Sequence, residues 1–277
     1  MTIATLAEVL QPALQQGYAV AGLVTLGWED MRAYVAAAEA EQVPLILQAG
    51  PGCRAHTPLP VLGQMYRWLA ESSSMPVVAH LDHGHAADEC QQALDCGFTS
   101  VMYDGSRKPL TQNIDETAAI AAAAHAAGAS CEGEIGFVGY AGGESSAGTD
   151  ALEAGRFAAE TGVDAMAISV GNVHLQQQSH TSLDEQRISA IAAQAGIPLV
   201  IHGGSGVSPQ QRRQLALTSA ICKFNIGTEL RMVFGDALRA ACANDPDQFD
   251  RVALLSQLHD PLVAATRPIL RNLAAPV

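Results

Sequence analysis

Apolar, β-prone runs of six or seven residues alternate with longer alanine-rich stretches along almost the whole chain. The runs are YAVAGLV (18–24), PLILQAG (44–50), PVVAHLD (76–82), SVMYDG (100–105), SCEGEIG (130–136), AMAISVG (165–171), PLVIHGG (198–204) and KFNIGT (223–228). They recur every roughly 25 to 35 residues, the spacing of βα units. The stretches between them, such as EDMRAYVAAAEAEQ, NIDETAAIAAAAHAAG and LDEQRISAIAAQAG, are rich in good helix formers. Gly97, Gly128, Gly162 and Gly196 stand where helices should end, and Pro44, Pro76 and Pro198 open the following strands, where a missing amide costs little.

Eight such units predict an α/β fold of the (β/α)8 (TIM) barrel type. A helix over residues 2 to 16 precedes the first strand, and a mostly helical tail follows over about 246 to 273. No linker or low-complexity tract interrupts the chain, so residues 1–277 read as a single domain. A doubly wound open sheet is the competing architecture, because strand count alone does not prove closure.

Composition narrows the partners. The chain of 277 residues carries 28 acidic against 15 basic side chains, a formal charge of −13. Its basic clusters are no longer than the pairs Arg107-Lys108 and Arg212-Arg213, which excludes an electrostatic footprint for nucleic acid. An anionic substrate must therefore be held by local donors working against the overall field. The six cysteines show no CxxC spacing and read as reduced thiols; no apolar run approaches the roughly 20 residues of a membrane span. A soluble, cytoplasmic protein is expected.

In a barrel the reactive groups sit where strands end. The third strand delivers Asp82, His83 and His85, the fifth Glu132 and Glu134, the sixth His174, the seventh His202. Three histidines from different strand ends, with a carboxylate at hand, are a ligand set for catalytic zinc that leaves one position open to a substrate oxygen. His85 is the alternative to His83 and otherwise an outer residue. His80 reads as a core histidine, and His56, His125, His180 and His259 as ordinary surface or helix positions.

The seventh loop, HGGSGVSPQQ, and the eighth strand's end, NIGTEL, both run small residues and hydroxyls into a helix start. Anions favour such places, and barrels commonly hold phosphate there. Lysine is scarce: only Lys108 and Lys223 occur, and Lys223, opening its strand, is expected at the opposite end of the barrel. Schiff-base chemistry thus has few candidates, which favours a metal as the electron sink. The fifth loop, GFVGYAGGESSAGTD (136–150), is glycine-rich, carries Glu144, and could close as a lid.

With these residues in place, the chain resembles the class II, zinc-dependent ketose-bisphosphate aldolases, in particular the fructose-bisphosphate and tagatose-bisphosphate aldolase branch. The ordered motifs HLDHG, SVMYDGS, EGEIGFVG, SVGNVH, IHGGSGV and KFNIGTEL carry the resemblance over nearly the whole length. It implies that His83, His174 and His202 bind Zn2+, joined by Glu134 when the metal shifts. It makes Asp82 the group exchanging a proton with the aldehyde-derived hydroxyl, and Glu144 a mobile-loop acid. It places dihydroxyacetone phosphate against Gly203, Gly204 and Ser205 and against Asn225, Ile226, Gly227 and Thr228. It further implies a sugar-phosphate substrate, a homodimer or homotetramer, and room for a monovalent cation.

The departures from the family pattern are equally specific. Where the family carries AFN and a second Asn, the chain reads AGLVTLGWED, with Val24 and Gly27 at those positions. Gly50 replaces a hydroxyl on the second strand. Leu175 replaces a glycine after the sixth-strand histidine, where HLQQQSH also lacks a nearby lysine. Gly227 replaces a frequently polar residue. Metal and proton-transfer groups remain while polar substrate contacts are thinned, which points to a retro-aldolase whose substrate differs from fructose 1,6-bisphosphate. A zinc lyase of unphosphorylated keto-sugars or keto-acids, and a sugar-phosphate binder without turnover, are the competing readings.

Overall fold

The computed structural model describes residues 2–177 and 181–275. Eight parallel strands occur where the apolar runs place them: β1 Val20–Val24, β2 Leu45–Ala49, β3 Val77–Gly84, β4 Ser100–Tyr103, β5 Ser130–Ile135, β6 Ala165–Ile168, β7 Leu199–Ile201 and β8 Ile221–Ile226. Each pairs with its neighbours in sequence, and β8 pairs with β1, which closes the barrel and excludes the open doubly wound sheet. Helices lie between successive strands. Gly162 and Gly196 cap them in the left-handed conformation, and Gly97 and Gly128 take the same conformation one residue past the cap.

Apolar side chains are divided between two cores. The larger lies between strands and helices, with Leu47, Leu81, Val101, Ile201 and Phe224 among its strand residues. The smaller fills the lower half of the barrel with Val20, Ile46, Val78, Met102, Ala165, Ala167 and Val200. The helix Leu6–Gln16 plugs that end, adding Leu6, Val9, Leu10 and Ala13 to the same cluster. The helix expected over 2–16 is shorter than read, because Thr5 caps it in a reciprocal pair with Glu8 and Ile3–Ala4 adds a two-residue strand to β3. The tail consists of the helices Arg251–Ser256 and His259–Leu273; the second is tied to the helix Trp28–Glu41 where Arg271 and Arg267 converge on Glu41.

Candidate active site

Two register irregularities shape the barrel interior. On β3, Leu81 pairs with Val101 and Gly84 with Tyr103, so one extra residue is accommodated and His83 takes a left-handed φ of 53°. Adjacent residues of a regular strand face opposite sides. The bulge lets Asp82 and His83 both line the same cavity. Arg54, from the short helix Pro51–His56, clamps this kink: Nη1 donates to the Asp82 carbonyl at 2.6 Å and Nη2 to the His83 carbonyl at 2.9 Å. On β8 a second bulge, at Cys222 and Lys223, directs both residues into the barrel.

The three histidines converge. One nitrogen each of His83, His174 and His202 lies within 4.8 Å of the others. Nε2 of His83 and Nδ1 of His202 face each other at 3.0 Å in buried surroundings. Two lone pairs cannot share that space, so it must hold a proton or a cation. The outward nitrogens are fixed: His83 Nδ1 meets Asp104 Oδ2 at 2.8 Å, and His202 Nε2 meets Glu132 Oε1 at 3.1 Å. This carboxylate–imidazole arrangement orients metal ligands and raises their basicity. Glu134 Oε2, buried and without a hydrogen-bond partner, stands 3.7 Å from both imidazoles. Facing imidazole nitrogens and an orphaned carboxylate oxygen fit a divalent ion of the zinc type.

Electrostatics agree with that fit. Burial presses the His83 imidazolium downward, yet Asp82, Asp104 and Glu134 together raise it to about 10. His174 is pushed down to about 4 by burial and by His83, and His202 is lowered for the same two reasons. Asp82 is ionised: burial opposes this, but His83 and His202 hold its carboxyl below the usual range. Burial, reinforced by Asp104, drives Glu134 well above it. The cluster thus demands positive charge and in the metal-free protein takes it from protons.

Beneath the imidazoles runs a fully buried polar column. Lys223 Nζ donates to Glu132 Oε2 at 2.6 Å and lies 3.4 Å from His80 Nε2, whose Nδ1 meets Ser100 Oγ at 2.8 Å. Lys223 therefore sits inside the barrel and not at its far end, because β8 begins at Ile221, two residues earlier than read. Glu132 belongs to this column and not to the strand mouth. His80 is the buried core histidine expected, and His85 is a mostly exposed neighbour, 3.8 Å from Asp104. His180 lies outside the described residues.

A cavity of about 350 Å³ opens above the imidazoles. Gly203, Ser205, Asn225, Gly227 and Thr228 line it; Gly204 and the Ile226 side chain are packed behind the wall. Ser205 Oγ accepts the backbone N–H groups of Gly227 and Glu229, each at 3.3 Å, which joins the two expected phosphate segments. Asn225 Nδ2 donates to Asp82 at 3.3 Å. Glu144 stays outside: its exposed carboxylate accepts from Arg107 Nη2 at 2.7 Å. Asp104, Arg54, Tyr140, which stacks on His174 at 4.9 Å, and Arg231 escape the sequence reading. Asp104 alone had a signal, as the acid ending the SVMYD run.

The departures are coupled in space. A Cβ on Gly227 would stand 3.0 Å from the Val24 Cβ, so Val24 occupies the room a polar side chain at 227 would need. A Cβ on Gly50 would meet only Asp82 Oδ2, at 3.3 Å, so the missing hydroxyl leaves free volume beside that carboxylate. Leu175 keeps the left-handed backbone of a glycine position, φ 59°, with its side chain half exposed at the cavity rim.

Comparison with known proteins decides the family. The model of the fructose-bisphosphate aldolase class-II family matches residues 4–275. The chain belongs to the class II aldolases. It is 35% identical over 273 residues to a 6-phospho-5-dehydro-2-deoxy-D-gluconate aldolase of Shouchella clausii, covering 93% of this chain and 89% of that protein. It is 34% identical to a fructose-bisphosphate aldolase of Geobacillus stearothermophilus, covering 95% and 94% of the two chains. Among solved structures, the YdjI aldolase of Escherichia coli K12 superposes with a TM-score of 0.84 at 25% identity, over 99% of this chain and 98% of that one. This class II aldolase is accordingly an enzyme, a carbon–carbon lyase on the TIM barrel. The named activities of its relatives diverge at nearly equal identity, so the substrate must be argued from the site.

Proposed function

We propose that the enzyme is a zinc-dependent aldolase that reversibly cleaves a phosphorylated ketose other than fructose 1,6-bisphosphate into dihydroxyacetone phosphate and an aldehyde. The observation that carries this is the convergence of His83, His174 and His202 in a cavity that also holds the ionised Asp82 and the segments around Ser205 and Thr228. The three imidazoles, with Glu134 in reserve, would hold the zinc, which supplies Lewis-acid stabilisation of the negative charge left on the ketone half.

This chain's own residues do the rest. The segments Gly203–Gly204–Ser205 and Asn225–Ile226–Gly227–Thr228 bind the phosphate at a helix start. Asp82 takes the proton from the hydroxyl on the carbon that becomes the aldehyde, and returns it in condensation. Asn225 holds Asp82 in place. Glu144 removes the carbon proton of dihydroxyacetone phosphate in the condensing direction once its loop leaves Arg107 and swings inward. The thinned polar wall at Val24, Gly50 and Gly227 supports a substrate other than the bisphosphate. The same reading makes residues 1–277 one domain, the assembly a homodimer or homotetramer with room for a monovalent cation, and the compartment the cytoplasm. Six free cysteines support the last point.

A panel of ketose 1-phosphates and bisphosphates, run with aldehyde trapping and with or without a chelator, tests the proposal. His202→Ala should lose both zinc and turnover, whereas Asp82→Ala should retain zinc and lose turnover. Full metal and rate in the histidine variant would overturn the ligand assignment. Cleavage of fructose 1,6-bisphosphate as efficient as in an ordinary family member would overturn the substrate.

A further inference from the structure

We infer that Tyr140 is a positioning residue of the metal site: its ring, stacked on the imidazole of His174, holds that ligand in place, the task that a carboxylate performs for His83 and His202. The inference rests on the reading of His174 as a zinc ligand and adds to it the means by which the loop after β5 supports the ion.

The three imidazoles are not held alike. His83 lies on β3 at the kink gripped by Arg54 and meets Asp104. His202 follows the last residue of β7 directly and meets Glu132. His174 stands six residues beyond Ile168, the end of β6, and its ring has no carboxylate partner within ion-pair distance among the described residues. An imidazole on such a segment could turn about its side-chain bonds, and that freedom would be lost on binding an ion.

Tyr140 supplies the missing constraint. The two ring centroids are 4.9 Å apart and the planes are inclined by 27°, a stacked pair. The backbone enforces the same pairing. His174 N–H donates to the Gly139 carbonyl at 2.8 Å, and Ala141 N–H donates to the His174 carbonyl at 3.0 Å, so the residues flanking Tyr140 grip His174 from both sides. Their own stem is anchored: Phe137 and Ala147 exchange two hydrogen bonds of 2.8 Å. Ser146 Oγ accepts from Gly139 N–H at 2.9 Å and donates to the Asn172 carbonyl at 3.1 Å. From β7, Gly203 approaches so closely that a Cβ there would stand 2.2 Å from the Val173 carbonyl oxygen.

The residue after His174 shows how firmly this frame is set. Leu175 adopts a φ of 59°, in the left-handed region. A leucine is strained there and stays only where its surroundings over-determine the backbone, as they do at ligand clamps. The ring of Tyr140 is also the part of the loop that reaches the site, since it lines the cavity while Glu144 is paired outside with Arg107. A stacked aromatic pair of this kind is worth about 3- to 10-fold in an equilibrium constant.

The test measures metal binding on the full-length protein. Zinc affinity is read by competition with a chromophoric chelator, and ligand geometry by the visible absorption of the Co2+-substituted protein. Tyr140→Ala should weaken zinc binding about 3- to 10-fold and alter the cobalt spectrum. Tyr140→Phe, which keeps the ring, should stay within about twofold of wild type and retain its spectrum. In a His174→Ala background the further change Tyr140→Ala should alter the affinity by less than about twofold, because the ring it positions is gone. Wild-type affinity and spectrum in Tyr140→Ala, a Phe variant as weak as the Ala variant, or an undiminished loss in the His174→Ala background would each overturn the inference alone. Equal zinc affinity of wild type and His174→Ala would overturn the reading of His174 as a ligand, and the inference with it.

Discussion

Replacing Lys223 by Met should cost the barrel several degrees of thermal stability and weaken zinc binding at the same time. The ammonium donates to Glu132 at 2.6 Å, and both side chains are completely inaccessible to solvent. Met has similar length but no charge, so the variant leaves a carboxylate in the barrel interior without its counter-ion. Breaking a buried pair by removing one partner costs about 3 to 5 kcal/mol. With an unfolding entropy near 2.1 cal/mol/K per residue, a chain of 277 residues loses about 5 to 9 °C in Tm. Glu132 also orients His202 through Nε2 at 3.1 Å, so disturbing it should lower zinc affinity by about 10- to 100-fold, as for other outer-shell partners. Differential scanning calorimetry of the metal-free protein and zinc titration against a chelator read the two effects. Adding Glu132→Gln removes the stranded charge, and the double variant should regain more than half of the lost Tm. A single variant within about 2 °C of wild type, or a double variant less stable than the single, would refute the account of a coupled buried pair.

Two further outcomes follow from particular contacts. Asp104→Asn keeps the shape of the side chain that meets His83 Nδ1 but removes its charge; zinc affinity should fall about 10- to 100-fold with little change in fold, and an unchanged chelator competition would remove Asp104 from the metal's support. Glu41 is held near 2 instead of its usual 4.5 by the paired hydrogen bonds from Arg271, joined by Arg267. A depressed carboxyl contributes stability that is present above pH 4.5 and lost as pH falls through about 2. Glu41→Gln should therefore flatten the acid limb of a Tm-against-pH curve in that window, and a parallel limb would refute the pairing.

The barrel was legible because parallel strands covered on both faces read as uninterrupted apolar runs. Gly and Pro punctuate them at helix ends and strand starts. What escaped was short or distant. Ile3–Ala4 is too brief to show a period, and the helix Pro51–His56 hides in a Gly-Pro-Gly stretch that reads as loop. At the site, the histidines stood out because strand ends are few. Arg54 and Arg231 did not, because a long side chain reaches the strand end or the cavity from a helix whose sequence signals only its own periodicity. Lys223 was displaced by a two-residue error in the start of β8, enough to move it from the rim to the interior column. The HLDHG motif shows a similar limit: strict alternation puts Asp82 and His83 on opposite faces, and only the bulge held by Arg54 reconciles them.

Charge within the barrel ties these features into one design. Four carboxylates, Asp82, Asp104, Glu132 and Glu134, gather around the imidazoles, and Lys223 is the only buried ammonium among the described residues. In the metal-free protein the raised affinities of His83 and Glu134 for protons make up two of the three excess negative charges. A divalent ion at the same place would balance two of the three excess negative charges and leave one uncompensated. Asp82 is the acid whose charge is left over, since Glu132 faces Lys223, Asp104 faces His83 and Glu134 faces the ion's position. The remaining charge is thus the base the reaction requires, placed beside the free volume at Gly50, where the substrate's hydroxyl can reach it. The apolar lower half and its helical plug carry no such balance to satisfy, which is why the polar column can be confined to the layers nearest the mouth.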